Sequence, residues 1–70
     1  MDFLAARIRQ ARTDAGLSRE LLAGQVGVSY ATVVRLETGN TRRISVDLLA
    51  KIAHVTGKRL PWFFETDVAV

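Results

Sequence analysis

Four arginines fall between residues 19 and 43 of this 70-residue chain, in a segment that also has side chains with hydroxyl and amide groups. A guanidinium can hold a phosphate, or it can present two donors to O6 and N7 of guanine. Hydroxyl and amide groups also donate to phosphates and to base edges. The chemistry that these residue types indicate is the binding of a polyanion, and the arginines concerned are Arg19, Arg35, Arg42 and Arg43.

The sequence has no pattern that is typical of an enzyme. We find no paired carboxylates, no nucleophile beside a base and no glycine-rich phosphate loop. The chain has no Cys and one His, so it predicts no thiolate or zinc site and no cofactor. His54 lies outside the apolar face of its predicted helix, and we interpret it as a surface residue.

Residues 17–39 predict two short helices joined by a tight turn. Ser18 and Ser29 are each placed to accept a hydrogen bond from a backbone N–H one turn on, which is how a helix is capped at its start. Gly27 stands between the helices, where a change of direction needs a residue that tolerates a positive φ. Such a pair of helices fits a helix-turn-helix, and the apolar residues at helical spacing are Leu22, Ala23 and Val26, then Val33 and Leu36.

In a helix-turn-helix the second helix enters the DNA major groove. With Val33 and Leu36 inward, five residues of the second helix are left to face outward: Ser29, Tyr30, Ala31, Thr32 and Arg35. Arg35 is the candidate for guanine, and Ala31 and the Thr32 methyl are candidates for a thymine methyl. Each has an alternative interpretation: an ion pair for Arg35, a first-turn hydrogen bond for Thr32 and a plain surface aromatic for Tyr30.

The chain resembles the DNA-binding domain of the Cro/CI-type (xenobiotic-response-element) phage and bacterial repressors. The resemblance implies an all-α, five-helix, lambda-repressor-like domain over residues 1–66, with the helix-turn-helix at helices two and three and a short tail at 67–70. It is carried by Leu17-Ser18, Leu22-Ala23, Val26-Gly27-Val28-Ser29, Thr32-Val33, Arg35-Leu36-Glu37, Gly39, Arg7-Ile8-Arg9, Leu49, Ile52-Ala53, Gly57 and Leu60 to Phe64.

The resemblance also implies roles for residues outside the second helix. Arg12 would pair with Glu37 and tie helix one to the reading helix. Ser18 and Arg19 would lie against DNA at the start of helix two, where the family usually has Gln in place of Arg19; an Arg there can hold a phosphate or read guanine. The loop after helix three would follow the sugar–phosphate backbone through Asn40, Thr41, Arg42 and Arg43.

The remaining segments predict the rest of a bundle. Helix one is expected over residues 2–15, with Asp2 near its cap and with Arg7 and Arg9 on a solvated face. Gly24 lies inside helix two, where only close helix packing would explain it. Four large apolar residues near the end cannot all turn inward in so short a helix, so they predict a self-association surface, as the family commonly dimerises here: Leu60, Trp62, Phe63 and Phe64.

Length and charge agree with a small DNA-binding domain. The net charge is +3, which suits a polyanion partner. The sequence has no apolar run long enough to span a membrane and no secretory signal pattern. We therefore expect the protein to lie in the cytoplasm of a bacterial cell or a phage-infected host. The expected function is a dimeric, sequence-specific repressor on a pseudo-palindromic operator. The alternatives are an antitoxin or a restriction–modification controller that also binds a partner protein such as a toxin or RNA polymerase, and a helical bundle that does not bind DNA.

Overall fold

The computed structural model describes residues 3–65, which form four α-helices and a closing 3₁₀ turn. The helices are α1 (Phe3–Asp14), α2 (Arg19–Val26), α3 (Tyr30–Glu37) and α4 (Val46–Thr56), and the 3₁₀ turn is Leu60–Phe64. The predicted all-α class is confirmed. No helix within this range is long and apolar enough to cross a membrane. The predicted roles of Asp2 and of the tail 67–70 fall outside the described residues.

The three helices after α1 each begin at a serine whose side chain caps the first turn. The hydroxyl oxygens of Ser18, Ser29 and Ser45 each accept a hydrogen bond from the backbone N–H three residues on, at 3.0, 3.1 and 3.0 Å. Each such cap typically stabilises a helix by about 1 kcal/mol relative to Ala. Short helices depend on these caps, because few of their backbone groups are paired within the helix.

All five elements contribute to one hydrophobic core. α1 packs against α3, α4 and the 3₁₀ turn, and α2 packs against α3 and α4. Phe63 is the largest side chain that is completely buried. The other buried members of the core are Ile8, Ala11, Leu22, Ala23, Val26, Val33, Leu36, Leu49, Ile52 and Ala53.

The fifth element differs from the α-helix that the family resemblance implies. Its backbone closes with i to i+3 hydrogen bonds, from Trp62 N to Arg59 O at 2.9 Å and from Glu65 N to Trp62 O at 3.3 Å. Pro61 has no N–H to donate, and five residues leave too few donors for an α-helical ladder. Residues 3–65 therefore form four α-helices and a 3₁₀ turn, in place of the five α-helices that were predicted.

The predicted self-association cluster separates into inner and outer residues. Phe63 is completely buried, so the prediction that it forms part of an interface is wrong: it fills the core between α1 and α4. Leu60 and Trp62 are half-buried against the core, and Phe64 is 59% exposed. Successive residues of a tight helical turn point in different directions, which is why adjacent phenylalanines have opposite environments.

Arg7 does not lie on a solvated face, and that prediction is wrong. Only 6% of it is exposed, and its guanidinium lies 4.4 Å from the ring centre of Trp62 and 5.2 Å from that of Phe3. Its Nε donates to the main-chain carbonyl of Glu65 at 3.1 Å. The reason is the amphipathic character of arginine, whose charged head stacks on aromatic rings while it satisfies a backbone acceptor. Arg9, by contrast, is exposed as predicted.

Gly24 is not explained by close packing. A methyl group at its Cα would meet no atom within 4 Å other than those of its own stretch of helix, and the residue is exposed in the middle of α2. We therefore expect Gly24→Ala to raise the free energy of unfolding by about 1 kcal/mol, because Ala loses less backbone entropy in a helix. Urea unfolding followed by circular dichroism measures this change.

The matched control for Gly24→Ala is Gly27→Ala. Gly27 has a φ of 81°, where a Cβ is strained although the space is open. Gly27→Ala should lower the free energy of unfolding by about 1–2 kcal/mol. If both substitutions changed stability in the same direction, backbone conformation would not be the cause of either effect.

Candidate nucleic-acid interface

The turn between α2 and α3 fixes the orientation of the second helix. Gly27 ends α2 in the left-handed conformation, and its N–H donates to the carbonyl of Ala23 at 2.9 Å. The N–H of Val28 donates to the same carbonyl at 3.0 Å, and Ser29 then begins α3. Only two residues separate the end of one helix from the cap of the next, so α3 has little freedom to swing relative to α2.

α3 has one face in the core and one face open to solvent. Val33 and Leu36 are buried, whereas Tyr30, Ala31 and Arg35 are exposed. The three exposed residues were all predicted to face outward. The structure therefore brings a phenol, a methyl group and a guanidinium together on the outer side of a helix held by its inner side.

The hydroxyls of Ser29 and Thr32 take part in the cap of α3. They lie 2.9 Å apart and share a hydrogen bond, while the N–H of Thr32 donates to the Ser29 oxygen. The alternative interpretation of Thr32, a first-turn hydrogen bond, describes what the structure shows. Thr32 is also only half-exposed, which leaves less of it on the outer face than of its neighbours.

Arg35 is free of the ion pair that was its alternative interpretation. Among residues 3–65 no acidic side chain lies within ion-pair distance of its guanidinium, and the residue is exposed. Its main-chain carbonyl accepts from Asn40 N at 2.9 Å, which folds the following loop back over the end of α3. An exposed guanidinium on a rigid helix is suited to contact an acceptor pair outside the chain.

Glu37 binds two arginines, one of which the sequence analysis had assigned only to DNA. Arg12 Nε donates to Glu37 Oε2 at 2.6 Å and Arg12 Nη2 donates to Oε1 at 3.2 Å, so the structure brings together the pair that the resemblance implies. Arg19 Nε also donates to Oε1, at 3.0 Å. Sequence reasoning missed this second contact because nothing in the spacing of residues 19 and 37 marks it.

The contact with Glu37 affects the ionisation of Arg19. Donation from its Nε to the Glu37 carboxylate, followed by the influence of the nearby Tyr30 hydroxyl, raises the pKa of Arg19 above its ordinary value. Arg19, like other arginines in proteins, carries a positive charge. Since the Tyr30 hydroxyl contributes to this shift, Arg19 lies near Tyr30, and the first residues of α2 and α3 are neighbours.

The loop after α3 exposes some of its predicted residues and buries one. Asn40, Arg42 and Arg43 are exposed, as a role along a phosphate backbone requires. Thr41 is only 7% exposed, so its prediction as a backbone contact does not fit the structure. Its carbonyl accepts from Ile44 N at 3.2 Å in a turn, and Ile44 packs against the core, which draws this part of the loop inward.

Comparison with known proteins agrees with this geometry. A family model described as a helix-turn-helix matches residues 8–63, which is most of the chain. A search of curated proteins gives no match. The matched range includes α2, α3, α4 and most of α1 and of the 3₁₀ turn, so the lambda-repressor-like fold applies to the whole arrangement and not to the two central helices alone. Members of this family are DNA-binding domains and not enzymes. The chain belongs to the Cro/CI-type (xenobiotic-response-element) helix-turn-helix family.

Proposed function

We propose that this protein is a sequence-specific repressor of transcription that binds a pseudo-palindromic operator as a homodimer, with α3 in the major groove. The observation that carries the proposal is the outer face of α3. It presents Tyr30, Ala31 and Arg35, which has no ion pair within residues 3–65, on a helix whose other face is fixed in the core. A helix of this width fits the major groove, where each base pair shows a distinct pattern of donors and acceptors.

The candidate contact residues divide into three groups, which are the base-reading residues of α3, the loop residues after α3 and the residues at the starts of α2 and α3. Arg35 can present two parallel donors to guanine O6 and N7, while Ala31 and the Thr32 methyl can touch a thymine methyl. Asn40, Arg42 and Arg43 lie in the loop that leaves the end of α3, where they can donate to phosphates. The third group lies where α2 and α3 begin, and its members are Ser18, Arg19, Ser29 and Tyr30.

A homodimer would present two copies of α3 to successive turns of the same groove, about 34 Å apart. The surface that supports this part of the proposal is Phe64, which is 59% exposed, with the half-buried Leu60 and Trp62 beside it in the chain. An exposed aromatic residue next to partly exposed apolar ones favours self-association. A dimer that covers an operator would repress by excluding polymerase.

Selection from a random duplex library, sequenced after several rounds at near-physiological salt, tests the proposal. We expect an enriched inverted repeat whose half-sites are centred one helical turn apart. Enrichment of a single half-site would contradict the dimer, and no enrichment at all would contradict sequence-specific binding.

Arg35→Ala separates base reading from general attraction to DNA. On the selected operator we expect it to lose about 1–3 kcal/mol of discrimination at one guanine position, because the bidentate contact is removed. The matched control is Arg42→Ala, which should weaken binding to all duplexes alike and reduce the salt slope by about one. Fluorescence anisotropy over a salt series measures both. Unchanged base preference in Arg35→Ala would mean that another residue reads that position.

A further inference from the structure

The cluster of Arg12, Arg19 and Glu37 has one carboxylate for two guanidiniums. The Glu37 side chain is completely buried, and the side chains of Arg12 and Arg19 are 12% and 35% exposed. Arg12 contacts both carboxylate oxygens and also donates from Nη1 to the carbonyl of Leu17 at 2.8 Å. All three guanidinium nitrogens of Arg12 therefore have partners inside the protein, and Arg12 balances the charge of the carboxylate.

Arg19 carries the positive charge that remains. Its contact with Glu37 uses only the Nε hydrogen, at 3.0 Å from Oε1. A guanidinium has five N–H donors in one plane, so a hydrogen bond at Nε restricts its orientation and leaves the Nη hydrogens toward the outer edge, near the Tyr30 hydroxyl. The ligand that complements a fixed, surplus cation of this shape is an anion with two neighbouring oxygens, as in a bidentate phosphate contact.

We propose that Glu37 is a positioning residue, which does not itself touch DNA but holds Arg19 to bind one backbone phosphate at the edge of each half-site. This inference rests on the proposed function. A phosphate is favoured over a guanine because Arg19 is the first residue of α2, the helix that crosses the sugar–phosphate backbone in a helix-turn-helix. Its Nε is tied to a buried group, so it cannot extend fully toward the base edges.

A double-mutant cycle on DNA affinity tests the coupling of the two residues. Arg19→Gln should weaken binding about tenfold and reduce the salt slope by about one, because one charged phosphate contact is lost. Glu37→Gln should weaken binding when Arg19 is present and have little further effect in the Arg19→Gln background. Arg9→Gln, which removes an exposed arginine of α1 outside the cluster, is the matched control for charge alone.

Modified duplexes identify the contacted group. A series of operators with a single methylphosphonate each should include one position that weakens the unsubstituted protein about tenfold and leaves Arg19→Gln unaffected. Replacing each guanine by 7-deazaguanine should show no position that depends on Arg19. A guanine that does depend on Arg19 would overturn the phosphate assignment.

Equal weakening by Glu37→Gln in both backgrounds would overturn the positioning role, since a merely structural residue acts without regard to Arg19. Circular dichroism verifies that each variant is folded, and the paired substitution Arg12→Met with Glu37→Leu replaces Glu37→Gln if the latter unfolds. The cycle can be run on a random duplex through the salt slope. If the effects of the two substitutions on affinity for a well-bound operator are simply additive, only this inference is contradicted. Failure to select an operator would contradict the proposed function.

Discussion

Phe63→Ala should lower the free energy of unfolding by about 3–5 kcal/mol, which is the usual cost of removing a buried phenylalanine. Phe63 is completely buried, packs edge-on against Trp62 with ring centres 5.1 Å apart, and belongs to the one core that all helices share. A domain of this size has only a small margin of stability, so the variant should be largely unfolded at physiological temperature. Urea and thermal unfolding followed by circular dichroism measure the loss.

The control for Phe63→Ala is the adjacent residue. Phe64 is 59% exposed, and Phe64→Ala should change the free energy of unfolding of the monomer by no more than about 0.5 kcal/mol. The comparison holds residue type and chain position nearly constant and varies only burial. Equal losses in the two variants would show that the 3₁₀ turn is not packed as described.

Glu37→Leu should be the second strongly destabilising substitution, with a loss of about 3–5 kcal/mol. It leaves the guanidinium of Arg12, which is only 12% exposed, without its carboxylate. Arg12→Met should cost clearly less, because the carboxylate of Glu37 keeps its hydrogen bond with Arg19 at 3.0 Å. The two single variants differ in stability because one carboxylate, that of Glu37, binds two guanidiniums.

The paired substitution Arg12→Met with Glu37→Leu should recover most of that loss. Replacing both members of a buried ion pair by apolar residues of similar size is often neutral or stabilising, since neither charge then has to be removed from water. Chemical denaturation of the two single variants and of the pair gives the coupling free energy directly. A pair that is less stable than Glu37→Leu alone would contradict the ion-pair explanation.

The features that the sequence predicted well are local ones. The serine caps and the turn at Gly27 depend on hydrogen bonds between residues that are three or four positions apart, so the residue types around Ser18 and Ser29 are sufficient to place them. The outer face of α3 is similarly determined by the spacing of Val33 and Leu36. Most of the candidate interface was predictable for this reason.

The features that were mispredicted depend on distant partners. Arg7 is buried because Trp62 and Glu65, more than fifty positions away, complete its surroundings. The contact of Arg19 with Glu37 forms only where packed helices bring the two residues together. The burial of Thr41 likewise depends on the packing of the helices on either side of its loop. Sequence periodicity contains no information on such contacts, since it describes one element at a time.

The stacking of Arg7 between Phe3 and Trp62, with its donation to Glu65, has a consequence for the way the protein is made. α1 is synthesised before the partners of its buried arginine, and these become available only when the residues through Glu65 have also emerged. Until then the cavity that Phe63 fills stays open, and α1 has apolar residues in water. The core therefore cannot close before residues 3–65 have all been synthesised, which includes α3 and the 3₁₀ turn that follows it.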